Sequence, residues 1–272
     1  MWSMRKILIV TSKVTFVPKN YEGIIAGLLN KSRHDSEFFK ENKIIFVFLD
    51  NSEPKLLLKA FALTCMGAPR IGWNLFKNYI TAKFQDSRKK ILKQNKIQYF
   101  EFDSPNTIRF RNFLRTEKID VLINARTRFI YKKKTLHTPK LGAFNIHHGI
   151  LPDNRGTMCD LWAMYNDSPI GFTLHQMNEK IDDGKIIRII SHQKDAHYLN
   201  DSLKKKNYAE YLYNSSLIEG ETLFDFIKND LETIEKQGLE LIAKDNITTN
   251  RPHSKNPNIK DIWKMKTKGL KL

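Results

Sequence analysis

The chain has 272 residues, with 46 Lys and Arg against 29 Asp and Glu and a formal net charge of +17; that length can bury one large core with or without an appendage. The basic excess admits nucleic acid, an acidic membrane or a phosphorylated small molecule as partner, unless a lysine-rich composition alone accounts for it. Two cysteines, Cys65 and Cys159, make neither a disulfide framework nor a metal cluster, and no apolar run reaches the roughly eighteen residues of a membrane span, so the expectation is a cytoplasmic protein, soluble or at most peripheral. The stretch before Val10 is too short for a signal peptide.

Arg5 to Val10 reads as a fully apolar strand of a parallel sheet, ending in Thr11-Ser12-Lys13 without a Gly-x-Gly-x-x-Gly. The missing fingerprint argues against a nicotinamide cofactor. Tyr21 to Lys31 predicts an amphipathic helix and Ile44 to Leu49 a second strand, a right-handed parallel unit. From Pro54 to Phe84, Leu, Phe and Trp side chains interleave with lysines around a break at Gly67-Ala68-Pro69. This predicts a helical pair covering the sheet; the other reading is a basic amphipathic surface that touches a membrane or a lipid-linked neighbour. Ser87 to Asn95 (with Ser87 as cap), Ile97 to Phe102, Pro105 to Lys118 and Asp120 to Asn124 continue the alternation of helix and strand. The fold class is therefore α/β: a Rossmann-like doubly wound, mostly parallel sheet, whose site lies beyond the carboxyl ends of its strands.

Thr157 to Asn166 predicts a helix with Trp162 inward, and Ile170 to Met177 and Lys185 to His192 two more strands. Tyr208 to Glu235 predicts a long helix stopped by Gly238. The polar stretch from Asp195 to Asn207 divides a catalytic domain over 1–200 from a short C-terminal helical appendage over 201–272. That long helix could serve a homodimer or pack within the chain.

Two stretches carry chemistry. In Phe144-Asn-Ile-His147, Asn145 and His147 share one face of a strand that ends at Gly149 and Pro152. An amide and an imidazole side by side at a strand end suit a donor pair aimed at an oxygen. Asp182 and Asp183 follow in a turn closed by Gly184, and a carboxylate facing the imidazole would hold it charged. Such a trio can carry acyl transfer to an amine.

Asn145-x-His147-x-x-x-Leu151-Pro152-x-x-Arg155-Gly156, then Gly171-x-Thr173-Leu174-His175-x-Met177 and Ile181-Asp182-x-Gly184, resembles the signature of the folate-dependent formyltransferases. The resemblance implies the formyltransferase fold, formyl-tetrahydrofolate as formyl donor and no metal. Asn145, His147 and Asp182 would then be catalytic, with the first two at the oxyanion and Asp182 orienting, supporting charge and relaying the proton. The loop Arg126, Thr127, Arg128, Phe129 and Ile130, with Ile181 and Asp183, would hold the folate, and Arg155, Gly156 and His175 would meet the acceptor. Arg126 and Arg128 depart from the small or apolar residues of that loop and read equally well as solvated charges. His148, on the opposite face from His147, reads as a packing residue. The family has no obligate counterpart of 54–84.

Three classes of acceptor divide the family. The chain after 207 is too short for the barrel-like domain of methionyl-tRNA formyltransferase, which argues against nucleic acid, and the Gly-rich N-terminus of glycinamide ribonucleotide formyltransferase is missing. Lys260-Asp-Ile-x-x-Met-x-x-x-Gly-Leu-Lys-Leu272 is similar to the C-terminal motif of sugar N-formyltransferases. The expected acceptor is an amino-deoxy sugar on a nucleotide diphosphate, with a methionyl-tRNA or other small amine as the alternative. A non-catalytic basic protein that binds RNA or membrane is the minor one.

Overall fold

The computed structural model of the chain describes residues 4–192, 200–247 and 253–272. Seven strands form one sheet in the order β3-β2-β1-β4-β5-β6-β7. They are β1 (Arg5–Ser12), β2 (Asn42–Leu49), β3 (Gln98–Phe102), β4 (Val121–Ala125), β5 (Gly142–His147), β6 (Gly171–Gln176) and β7 (Ile186–Ser191). β1 to β5 are parallel, and β6 and β7 close the sheet antiparallel. The doubly wound α/β expectation stands.

Side-chain parity splits the central strands between two cores. Ile7, Ile9, Phe46 and Ile123 enter one apolar cluster, whereas Leu8, Val10, Val47 and Leu122 enter another on the opposite face. Both faces are covered, so these strands read as unbroken apolar runs. The first face is covered by α1 (Gly23–Ser32), and the expected helical pair is present as α2 (Lys55–Cys65) and α3 (Pro69–Phe84). α4 (Ser87–Gln94) and α5 (Ile108–Thr116) follow, and α6 (Cys159–Tyr165) comes after β5. The cap of α4 is Asp86, not Ser87: its carboxylate accepts from the Arg88 N–H (3.0 Å). The same carboxylate grips the fully buried Arg88 guanidinium, which also donates to the Ser12 and Lys13 carbonyls (3.0 and 2.6 Å). The clamp fixes the loop leaving β1. Trp162 is half-buried, its Nε1–H donating to the Lys255 carbonyl (2.8 Å).

The long helix begins as α7 (Tyr208–Asp225), passes through a π turn at Phe226–Asp230 and continues as α8 (Leu231–Gln237) before Gly238 at φ 90° ends it. Its Tyr208, Leu212, Leu223 and Phe226 belong to the same core as α1. The two helices cross backbone to backbone: a Cβ on Gly27 would meet the Leu217 carbonyl at 2.0 Å, and one on Gly220 the Ile24 carbonyl at 2.2 Å. The boundary expected from Asp195 falls partly outside the described residues, as does Pro252. α9 (Ile259–Thr267) is opened by a reciprocal Asn258–Asp261 capping box, and Met265, Leu270 and Leu272 return its tail to the core. Gly220→Ala should lower stability by about 1–3 kcal/mol, because overpacking here must push two helix backbones apart; urea unfolding measures it.

Candidate active site

Strand register assembles the site. β5 pairs Asn145 with Asn124 of β4 on one side and with His175 of β6 on the other. Asn124 Nδ2–H donates to Asn145 Oδ1 (2.7 Å), and Asn145 Nδ2–H donates to His175 Nε2 (3.0 Å). The amide's second Nδ2–H is left for the cavity, which Asn145 lines. Asn124 Oδ1 in turn accepts from the Thr127 and Tyr131 hydroxyls (2.6 and 3.2 Å). These donors fix which way round both amides stand.

Two residues on, His147 is 6% exposed. Its Nδ1–H donates to Asp182 Oδ1 (3.2 Å) and its Nε2–H to the Asn154 carbonyl (2.6 Å). Both partners are acceptors only, so both ring nitrogens carry protons and the ring is an imidazolium. Burial opposes the charge, but the Asp182 hydrogen bond and charge outweigh it, helped by the neighbouring Cys159 side chain, and the pKa is raised to about 10. Asp182 is pushed up by burial and pulled below the usual carboxylate value by His147 and the Gly156 N–H, which donates to Oδ2 (3.1 Å). His175 moves the other way. Burial and the His147 charge lower its pKa to about 4, so it is neutral. Its Nδ1–H donates to the Gln176 carbonyl (2.7 Å), which leaves Nε2 free to accept from Asn145.

Asp182 holds this position in a left-handed conformation at φ 53°, where Asp is one of the tolerated non-glycine residues. Asn246 Nδ2–H donates to the carbonyls of Asp182 and Gly184 (3.0 and 3.1 Å) and locks the turn. Gly156, at φ 101°, lies where a Cβ would meet the Ser254 carbonyl at 2.4 Å. The C-terminal segment therefore runs hard against the turn that supports Asp182.

Asn145, His147, His175 and Asp182 open onto a cavity of about 750 Å³ at the carboxyl ends of β1, β4 and β5. Arg126, Thr127, Arg128, Phe129, Ile130 and Ile181 all line it, and so does Gly156. Ile130 and Ile181 are more than half exposed, an apolar wall available to a flat ring. Arg155 and Asp183 do not line this cavity. The buried Arg155 guanidinium donates to Asp183 Oδ1 (3.3 Å) and Asn246 Oδ1 (3.1 Å), so it braces the turn. Arg126 also turns inward, donating to His148 Nδ1 (2.7 Å) and Asp160 Oδ2 (3.4 Å). His148 is neutral, its pKa lowered by burial and then by Arg126. Arg128 and Lys59 are different: both reach the cavity, and neither has an ion-pair partner among the described residues. Burial lowers the pKa of each, and Arg128 lowers that of Lys59 further.

Sequence reasoning missed Asn124, Tyr131, Lys59 and Asn246. A polar residue closing the apolar run of β4 was the available signal for Asn124; Asn246 had none. Replacing Asp182 by Asn removes the counter-charge and leaves only the weaker Cys159 contribution against burial, so His147 should become neutral. ¹⁵N NMR of the imidazole near neutral pH should report two protonated nitrogens in the parent and one in Asp182→Asn. Two in both would show that Asp182 does not hold the charge.

Residues 81–213 match the family model described as Formyl transferase. The bifunctional polymyxin resistance protein ArnA of Wigglesworthia glossinidia brevipalpis is 33% identical over 153 residues, 56% of this chain and 23% of that protein. GDP-perosamine N-formyltransferase of Brucella melitensis is 32% identical over 89 residues, 32% of this chain and 34% of that protein. The match thus spans about a quarter to a third of these relatives' length. A sugar N-formyltransferase from a Shewanella species superposes with a TM-score of 0.53 at 14% identity, over 92% of this chain and 76% of that one. At that identity the likeness is one of fold.

Proposed function

We propose that this chain, whose residues 81–213 match the formyl transferase family model, moves a formyl group from formyl-tetrahydrofolate to the amine of a nucleotide-linked amino-deoxy sugar. The observation that carries the reading is the convergence of a free Asn145 Nδ2–H, the His147 imidazolium and the Asp182 carboxylate on one wall of the cavity. When bound, the folate supplies an activated formyl carbon and a nitrogen leaving group; Phe129, Ile130 and Ile181 suit its ring.

As the acceptor amine attacks, negative charge grows on the formyl oxygen. Asn145 donates to that oxygen, and the cationic His147 stabilises it through its charge. The His147 Nε2–H is engaged with Asn154 O in this structure, so donation to the oxyanion means exchanging that carbonyl for the substrate oxygen. Asp182 keeps the ring charged throughout, and its carboxylate is the base assigned here to carry the amine's proton on its way to the departing nitrogen. Because the raised pKa keeps the ring charged at every pH below about 10, His147 should add no inflection to a neutral pH–rate profile.

The sugar acceptor is supported by three features. Asn256, Pro257 and Leu272 of the C-terminal segment wall the cavity, which gives that segment a part in acceptor recognition. Lys59 and Arg128 offer an anionic ligand two uncompensated charges. The Brucella relative is by name a transferase onto a nucleotide-linked amino sugar. Formyl transfer should be assayed against a panel of nucleotide-linked amino sugars, with initiator methionyl-tRNA alongside. Asn145→Ala and His147→Ala should each lower kcat by about 10²–10³-fold. Transfer to tRNA alone would replace the acceptor, and absence of both transfer and folate binding would sink the reading.

A further inference from the structure

We propose that the α2–α3 hairpin docks the protein on an anionic membrane surface. From Lys55 to Phe84 the sequence holds no Asp or Glu, while Lys55, Lys59, Arg70, Lys77 and Lys83 are all cationic. The inner face of the hairpin is used by the fold: Ala60, Leu75, Tyr79 and Ala82 pack on Val14. Its outer face is apolar and uncovered. Leu58 is 71% exposed, Phe61 68%, Trp73 62% and Phe84 82%, and Phe76 and Ile80 join them. Trp73, Phe76, Ile80 and Phe84 recur at three- and four-residue steps, so they form one stripe along α3. The Trp73 and Phe76 rings stack on each other at 5.7 Å. Isolated exposed apolar side chains are ordinary, but an aromatic stripe flanked only by cations is the pattern of a helix lying in a membrane interface.

Charge selects the occupant. A second copy would bring the same unbalanced positive charge, with no acid on the hairpin to receive it. A nucleic acid would satisfy the lysines but leave Leu58, Ile80 and Phe84 in water. A bilayer with anionic headgroups satisfies both, with rings and aliphatic chains below the headgroups and ammonium groups among them. No helix among the described residues is long and apolar enough to cross a membrane, so the chain would lie on the surface. The tail meets the hairpin at its turn, where the Arg70 N–H donates to the Leu272 carbonyl (3.0 Å). α9 adds an exposed Trp263 with Lys266 over its ring (5.3 Å). Ala62 and Leu63 of α2 and Met66 just after it line the cavity, so docking would bring its wall close to the bilayer. The inference is independent of which amine accepts the formyl group.

The test is co-sedimentation of the full chain with vesicles of phosphatidylcholine alone or of equimolar phosphatidylcholine and phosphatidylglycerol. Binding should require phosphatidylglycerol and weaken with salt. Trp73→Ser with Phe84→Ser, and separately Lys77→Gln with Lys83→Gln, should each weaken it by roughly tenfold or more while circular dichroism stays unchanged. Absence of binding to the anionic vesicles at low salt would overturn the proposal, as would binding that survives the apolar substitutions. Self-association in sedimentation velocity that the apolar pair abolishes, without vesicle binding, would make a second copy the occupant. Binding to RNA that needs the lysines but not the aromatics would make it nucleic acid.

Discussion

The site depends on one buried ion pair. His147 donates one N–H to Asp182 and the other to a backbone carbonyl, and this fixes it as a cation in a place where burial alone would make it neutral. That charge then sets its neighbours. It holds Asp182 ionised and adds to burial in keeping His175 neutral, and a neutral His175 is what offers Asn145 an acceptor. In stability terms the sign is fixed as well: the raised His147 pKa contributes fully below the ordinary imidazole value and is lost as pH rises through about 10. The lowered Asp182 pKa contributes above the ordinary carboxylate value and is lost in acid.

The fold's part is to bring four short segments to one point. Doubly wound sheets leave a crevice at the carboxyl ends of their strands where the order reverses, and here β1 and β4 flank it. The sheet then changes from parallel to antiparallel between β5 and β6, so β6 runs back past the site. That reversal places His175 opposite Asn145. Asp182 arrives on the turn after β6, and this turn needs its own fastening because a left-handed Asp is not self-supporting. Asn246, Gly156 and Arg155 provide it. The C-terminal segment is thus part of the site's scaffold.

The strands were legible because burial on both faces writes itself as an unbroken apolar run, and Asn145 and His147 because strand parity is strict. Asp182 was legible through its Gly-closed turn. What escaped the sequence depended on register and on distant partners. Nothing local says that Asn124 stands beside Asn145, or that Arg155 points at Asp183 and Asn246. Asp86 displaced Ser87 as a cap because it binds Arg88 at the same time, a use of the carboxylate that appears only when α4 is laid against the loop after β1. Asn246 was unreadable because a lone Asn in a polar tail carries no pattern.

The net charge of +17 is not one thing. Arg88, Arg126, Arg155 and Arg188 are turned to carboxylates or carbonyls in planar, multi-donor contacts and belong to the fold. Lys59 and Arg128 face the cavity without a counter-ion among the described residues, and desolvation weakens their hold on a proton. The remaining lysines of the hairpin stand beside exposed aromatics. A bias toward lysine in composition would scatter charge over the surface and interleave it with acids. It would not clear every Asp and Glu from Lys55 to Phe84, line that same stretch with Trp and Phe, and leave its neighbours on either side, Glu53 and Asp86, acidic. The charge is arranged by location.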